Sequence, residues 1–172
     1  KYCNANPIFI DVDKSTLSMS HHDLEIFLES NCEVRNDGFC WNKISNKRIS
    51  ACLPNHTFGF PAKINEIKEI CNNYNIKLIE DAAGSLGSKY KSKHLGLDGS
   101  FSALSFNGNK IITTGGGGAI LTNNTLLAKR ARHISNVSKV FKKFDTLHDE
   151  VGYNYKMTNL NAALGYSQIS NL

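Results

Sequence analysis

Asp81, Ser105 and Lys110 are the residues of this sequence whose types could work together on an aldehyde. A lysine amine becomes a nucleophile toward a carbonyl carbon when partial burial and neighbouring charge lower its pKa. A carboxylate can hold the proton of a heterocyclic nitrogen and keep a ring electron-poor. A serine hydroxyl, together with backbone N–H groups, suits a phosphate. Lys110 stands in "SFNGNKIITTGGGGAIL", between an apolar segment and the four glycines 115–118. Ordinary readings stand beside this one. An acidic pair after a strand is commonly a helix N-cap, and a lysine beside glycines is commonly a surface loop.

The elements that must position these residues follow from periodicity. "PIFIDVD" (7–13), "RISACLP" (48–54), "IKLIED" (76–81), "FSALSF" (101–106) and "GAILT" (118–122) read as short strands. Between them lie helical patterns. One follows Ser20 as N-cap, with Leu24, Phe27 and Leu28 on one face. Another follows Pro61, with Ile64, Ile67, Ile70, Cys71 and Tyr74 at helical spacing. A basic helix is predicted over 124–134, and a last one from near Thr158. The stretch 31–48 is polar and irregular in pattern. Strands alternating with helices imply an α/β fold with a mostly parallel sheet. Ligands of such sheets bind at the carboxyl ends of the strands. Asp81 follows one strand and Lys110 another, so both are expected at one crevice.

Other chemistries lack their motifs. The glycine run is no P-loop, because Lys110 precedes it. As a dinucleotide fingerprint it fails at the third position, which is Ile120. The six histidines show no HExxH spacing, no zinc-finger cluster occurs, and no metal site is expected. There is no GxSxG elbow. His56, after a strand in "PNHTFGF", reads as structural. The 172 residues are 41% hydrophobic, which suits one domain. The net charge of +5 raises the question of anionic partners without settling it. Lys129, Arg130, Arg132, Lys139, Lys142 and Lys143 form a basic stretch without an acidic residue. It reads first as a solvated face, and otherwise as a polyanion-binding module or a surface toward a substrate diphosphate. The cysteines Cys3, Cys32, Cys40, Cys52 and Cys71 are odd in number, with no CxxC. They read as reduced thiols of a cytoplasmic protein. No apolar run has the roughly 18–20 residues of a membrane span.

Pyridoxal phosphate is a cofactor that uses a set such as Asp81, Ser105 and Lys110. Three segments strengthen that reading by their wording: "IEDAAGSLGSKYKSKHLG", "SFNGNKIITTGGGGAILTN" and "GYNYKMTNLNAALGYSQI". In this order they resemble the DegT/DnrJ/StrS family of nucleotide-sugar aminotransferases, and the upstream segments resemble its large domain. The resemblance implies a type I aminotransferase fold with pyridoxal 5'-phosphate. It makes Lys110 the lysine that binds the cofactor aldehyde and Asp81 the carboxylate facing the pyridine nitrogen. Ser105 would hold the cofactor phosphate. Asn154 would reach the phosphate of a neighbouring subunit, so a homodimer with shared sites is expected. The implied partners are a nucleotide-linked keto-deoxysugar, of the 4-keto-6-deoxy kind, and an amino donor, expected to be glutamate. Neither nucleic acid nor membrane is an expected partner.

Three departures from the family pattern stand out. Gly84 occupies the place of a usual Gln or Glu near the cofactor's ring hydroxyl. It keeps open an inactive or reaction-altered relative. Ser100 and Ser102 replace a usual Asp and Gly. Finally, residues 1–172 are expected to be a partial large domain, without the upstream phosphate loop and the C-terminal small domain. On that expectation the isolated chain is inactive.

Overall fold

The computed structural model describes residues 3–142 and 145–172. Ser20 caps α1 (His21–Asn31): its hydroxyl accepts the amide proton of Asp23 at 3.1 Å. Next come β1 (Cys32–Val34), β2 (Cys40–Asn42), β3 (Lys47–Arg48) and β4 (Ala51–Cys52). A 3-10 turn, Thr57–Gly59, leads to α2 (Ile64–Asn73) and β5 (Lys77–Asp81). A small hairpin, β6 (Lys89–Tyr90) and β7 (Lys93–His94), precedes β8 (Phe101–Ser105) and β9 (Gly118–Leu121). Then follow α3 (Thr125–Ser135), the hairpin β10 (Lys139–Lys142) and β11 (Asp145–His148), and α4 (Asn159–Ile169). Asn124 and Thr158 cap α3 and α4 through their side-chain oxygens.

The central sheet has the order β4-β5-β8-β9. The β4–β5 and β5–β8 pairings are parallel, and β8–β9 is antiparallel. The core lies on one face of this sheet. Leu24 and Leu28 of α1 meet Ile64, Ile67, Ile70 and Cys71 of α2 over Cys52 and Leu78. These are the apolar positions of the helical periodicity. On the opposite face Ala103 and Ile120 are exposed. Cys32, Cys40, Cys52 and Cys71 are buried free thiols, and Cys3 is an exposed one. Burial pushes the Cys40 thiol up to about 12. No helix among the described residues is long and apolar enough to cross a membrane.

The central sheet is mostly parallel, as expected, and the structure differs from the sequence reading at three places. Residues 7–13 form no strand: only Val12 bridges, to Met19, while Ile8, Phe9 and Val12 are exposed. An apolar run becomes a strand only where a neighbour pairs along it, and here the pairing is confined to two bonds around that bridge, Asp13 amide to Ser18 carbonyl at 2.8 Å and Ser20 amide to Asp11 carbonyl at 2.9 Å. The expected strand 48–54 is two pieces, because the chain changes partner. Arg48 faces Trp41 of β2, whereas Ala51 faces Lys77 of β5. The polar stretch 31–48 is ordered as the antiparallel sheet β1-β2-β3. Its turns are made by side chains, with the Asn42 carboxamide oxygen accepting from the amides of Ile44 and Ser45.

Candidate active site

β5 and β8 are adjacent and parallel, so their carboxyl ends form one edge of the sheet. Asp81 closes β5 opposite Ala103, and Ser105 closes β8. Strand alternation sends Glu80 and its partner Ser102 to the covered face. Asp81, Ala103 and Ser105 therefore share the other face. Asp81 is half-buried, and its Oδ1 accepts from the Ala83 amide at 3.0 Å. Its Oδ2 meets no donor among the described residues. The Ser105 hydroxyl accepts from the Asn107 amide at 3.3 Å, which leaves its proton available. Lys110 lies in the loop that leaves this edge, with its amide donating to the Asn107 carbonyl at 3.0 Å. Its side chain is half-buried and has no carboxylate partner among the described residues.

The covered face supports this edge through a residue that sequence reasoning passed over. The Glu80 carboxylate accepts from the amides of Gly96 at 3.1 Å, Asp98 at 2.7 Å and Gly99 at 2.6 Å. His56 donates to it from Nε2 at 3.1 Å. His56 Nδ1 accepts from the Ala62 amide at 3.1 Å, so the ring proton sits on Nε2 and the imidazole is neutral. Burial alone would raise the Glu80 pKa. The His56 bond and the three amides outweigh burial and hold it below the usual carboxylate range. The same segment anchors Asp81: its amide donates to the Pro54 carbonyl at 2.9 Å, and its carbonyl accepts from the His56 amide at 3.0 Å. Both residues stand beside strand ends in the sequence, but their pairing across 24 positions carries no local signal.

The donors match the needs of pyridoxal phosphate. Asp81 offers an unspent carboxylate oxygen, Ser105 an unspent hydroxyl proton, and the small, exposed Ala103 lies between them as a floor for a flat ring. Gly84 leaves space where the family places a longer side chain. A Cβ there would stand 3.4 Å from the Gly59 amide nitrogen. Ser102 is buried and donates to the Gly96 carbonyl at 2.5 Å. Ser100 accepts from the Thr122 hydroxyl at 2.7 Å through its carbonyl. The Ser102 side chain thus has structural work, whereas Ser100 acts here through its backbone. Asn154 is exposed and belongs to a different part of the chain. It bridges to Asn136, after α3, and its neighbours Tyr153 and Tyr155 stack at 5.1 Å.

The basic stretch is partly neutralised. Arg130 grips both carboxylate oxygens of Glu150, and His133 Nε2 lies 2.8 Å from Asp149. His133, Asp149 and Glu150 could offer ligand atoms to a metal ion, a grouping formed by folding and invisible in spacing. Lys129 and Arg132 are exposed, and Lys143 lies outside the described residues.

Sequence and fold comparisons agree with the geometry. The chain is 39% identical over 169 residues to the GDP-perosamine synthase of Escherichia coli O157:H7, covering 98% of this chain and 42% of that protein. It is 37% identical over 168 residues to EpsN of Bacillus subtilis, a putative pyridoxal phosphate-dependent aminotransferase, covering 98% of this chain and 40% of the relative. Residues 1–172 thus span about two-fifths of the length of these curated relatives. The fold matches Helicobacter pylori PseC, an aminotransferase involved in the biosynthesis of pseudoaminic acid. The TM-score is 0.81 at 23% identity, over 96% of this chain and 40% of that one. This is the type I fold of pyridoxal phosphate-dependent sugar aminotransferases, in part. The family model of the DegT/DnrJ/EryC1/StrS aminotransferases matches residues 1–172, and the chain belongs to that family.

Proposed function

We propose that residues 1–172 are part of the large, cofactor-binding domain of an aminotransferase that places an amino group on a nucleotide-linked keto-deoxysugar. The 4-keto-6-deoxy class is the substrate and glutamate the amino donor. The observation that carries the reading is the shared face of Asp81 and Ser105 on adjacent parallel strands, with the Lys110 loop leaving the same edge. The names of the relatives support the reading: one is a GDP-perosamine synthase and one an aminotransferase involved in the biosynthesis of pseudoaminic acid.

When bound, pyridoxal phosphate supplies an aldehyde and an electron-withdrawing ring. Asp81 would hold the proton on the ring nitrogen with its unspent carboxylate oxygen. Ser105 would donate its hydroxyl proton to the phosphate. Lys110 would hold the aldehyde through its side-chain amine, and that amine, when free, would hold and move a proton at the substrate carbon. The turn at Asn107–Lys110 roots this side chain in the loop that leaves the edge, and among the described residues no ion pair holds its amine. Asn154 serves the phosphate of a neighbouring copy, which makes the working unit a homodimer.

The test is spectroscopic. The full-length protein with added pyridoxal phosphate should gain a visible absorption band, and borohydride should fix the cofactor on Lys110. A band that persists unchanged in Lys110→Ala would overturn the assignment. A second reading, altered or lost activity, is favoured by Gly84 alone. The basic binding module is not favoured by the family assignment, and Arg130 is committed to Glu150.

A further inference from the structure

The loop that carries Lys110 runs from Phe106 to Gly117. Its neck is closed by backbone bonds: the Phe106 carbonyl accepts from the Thr114 amide at 2.9 Å, and the Phe106 amide donates to the Gly117 carbonyl at 2.9 Å. Beyond the neck, one element reaches the loop with side-chain hydrogen bonds among the described residues, and that element is α4. The Gln168 carboxamide grips Thr113 at both ends. Its Oε1 accepts from the Thr113 amide at 3.1 Å, and its Nε2 donates to the Thr113 carbonyl at 2.7 Å. Asn161 Nδ2 donates to the Thr114 carbonyl at 2.5 Å. Between them Gly165 is buried against Thr114, where a Cβ would come within 2.8 Å of the threonine methyl. Positions 161, 165 and 168 follow i, i+4, i+7 spacing and so form one stripe of the helix.

We propose that this stripe of α4 is a positioning device for Lys110. It acts through the backbone three residues downstream of the lysine, and it rests on the reading of Lys110 as the reactive amine. The physical need is specific. A lysine carries its amine on a flexible four-carbon stem, so aim must come from the backbone at its root. The two-point grip fixes Thr113 as a paired strand residue would be fixed, and a small misplacement of a reacting group is costly in rate. Gly165 lets the helix axis approach closely enough for both amide side chains to reach. The neighbouring residue Ile112 is buried, a further anchor of the same loop.

The experiment uses the full-length protein without cofactor, and amide hydrogen exchange as the readout. Gln168→Ala and Gln168→Glu should speed exchange in 106–117 by about tenfold, the effect of losing a bond or two of ordinary strength. Protection in β5 should stay as in the wild type. With pyridoxal phosphate added, fixation on Lys110 by borohydride should slow, and kcat should fall while KM for the amino donor holds. Unchanged exchange in 106–117 overturns the proposal, and so does faster exchange with unchanged fixation, which would leave α4 a structural prop. If the Gln168 variants do not fold, Asn161→Ala removes the bond to the Thr114 carbonyl, together with the one from the Thr158 hydroxyl at the start of α4, and is read in the same way. Absence of fixation in the wild type overturns the reading of Lys110 itself, a result distinct from either of these.

Discussion

His56 and Glu80 are bonded at 3.1 Å with both side chains wholly buried, directly beneath the strand end that presents Asp81. The ring accepts on one nitrogen and donates on the other, so the pair is a neutral donor on a carboxylate rather than two opposed charges. With three further amides on the same carboxylate, every strong acceptor position of Glu80 is used. A buried charge is tolerable only when satisfied in this way.

Glu80→Gln turns one acceptor into a donor that faces existing N–H groups. The expected loss of stability is about 3 kcal/mol, from unpaired buried groups. Urea denaturation of the full-length protein measures it, and a midpoint equal to the wild type's would contradict the role assigned to this network.

The lowered pKa of Glu80 sets an acid limit. Asp98 shares the direction: burial opposes ionisation there, but Lys93 and Lys68 overcome it. A carboxylate with a depressed folded-state pKa contributes stability above its unfolded value, and that contribution fades as pH falls through the folded one. Thermal midpoints should therefore hold above roughly pH 5 and drop below roughly pH 4. In Glu80→Gln the acid limb should be shallower.

Gly118 opposes Ser105 across the β8–β9 pair, and a Cβ at this position would overlap the Leu104 carbonyl oxygen. Gly118→Ala should cost about 2 kcal/mol or force the strands apart. Since Ser105 is the proposed phosphate ligand, cofactor retention should fall in parallel, and equilibrium dialysis would register the change.

A Cβ at Gly84 would make ordinary van der Waals contact with the backbone of Phe58 and Gly59, at 3.4 Å and beyond. Gly84→Gln is expected to fold normally and to retain pyridoxal phosphate more tightly than the wild type. No gain in retention would remove Gly84 as the reason to suspect altered activity.

The proposed sharing of sites between neighbouring copies makes a complementation prediction. Lys110→Ala and Asn154→Ala each damage a different half of one site. Co-expressed, random dimers should recover about a quarter of wild-type transamination, since half the dimers carry one intact site. Recovery no greater than the better single variant would place Asn154 outside the neighbour's site.

Much of the chain was legible locally. Ser20, Asn124 and Thr158 announce the starts of α1, α3 and α4, because a cap needs only the next three residues. The strands β5 and β8 were readable to within a residue, and with them the edge that bears Asp81 and Ser105. The proposal for Lys110 rests on its surroundings and on family wording.

What only the tertiary structure decided are the relations between distant residues. Gln168 and Thr113 are 55 positions apart, and His56 and Glu80 are 24 apart. No periodicity relates such pairs, because they meet only after the sheet and helices have packed. The antiparallel turn of β9, the polar hairpins of 31–48 and the missing strand at 7–13 have the same cause. Side-chain pattern reports which face a residue prefers, while backbone hydrogen bonding depends on which neighbour the fold supplies.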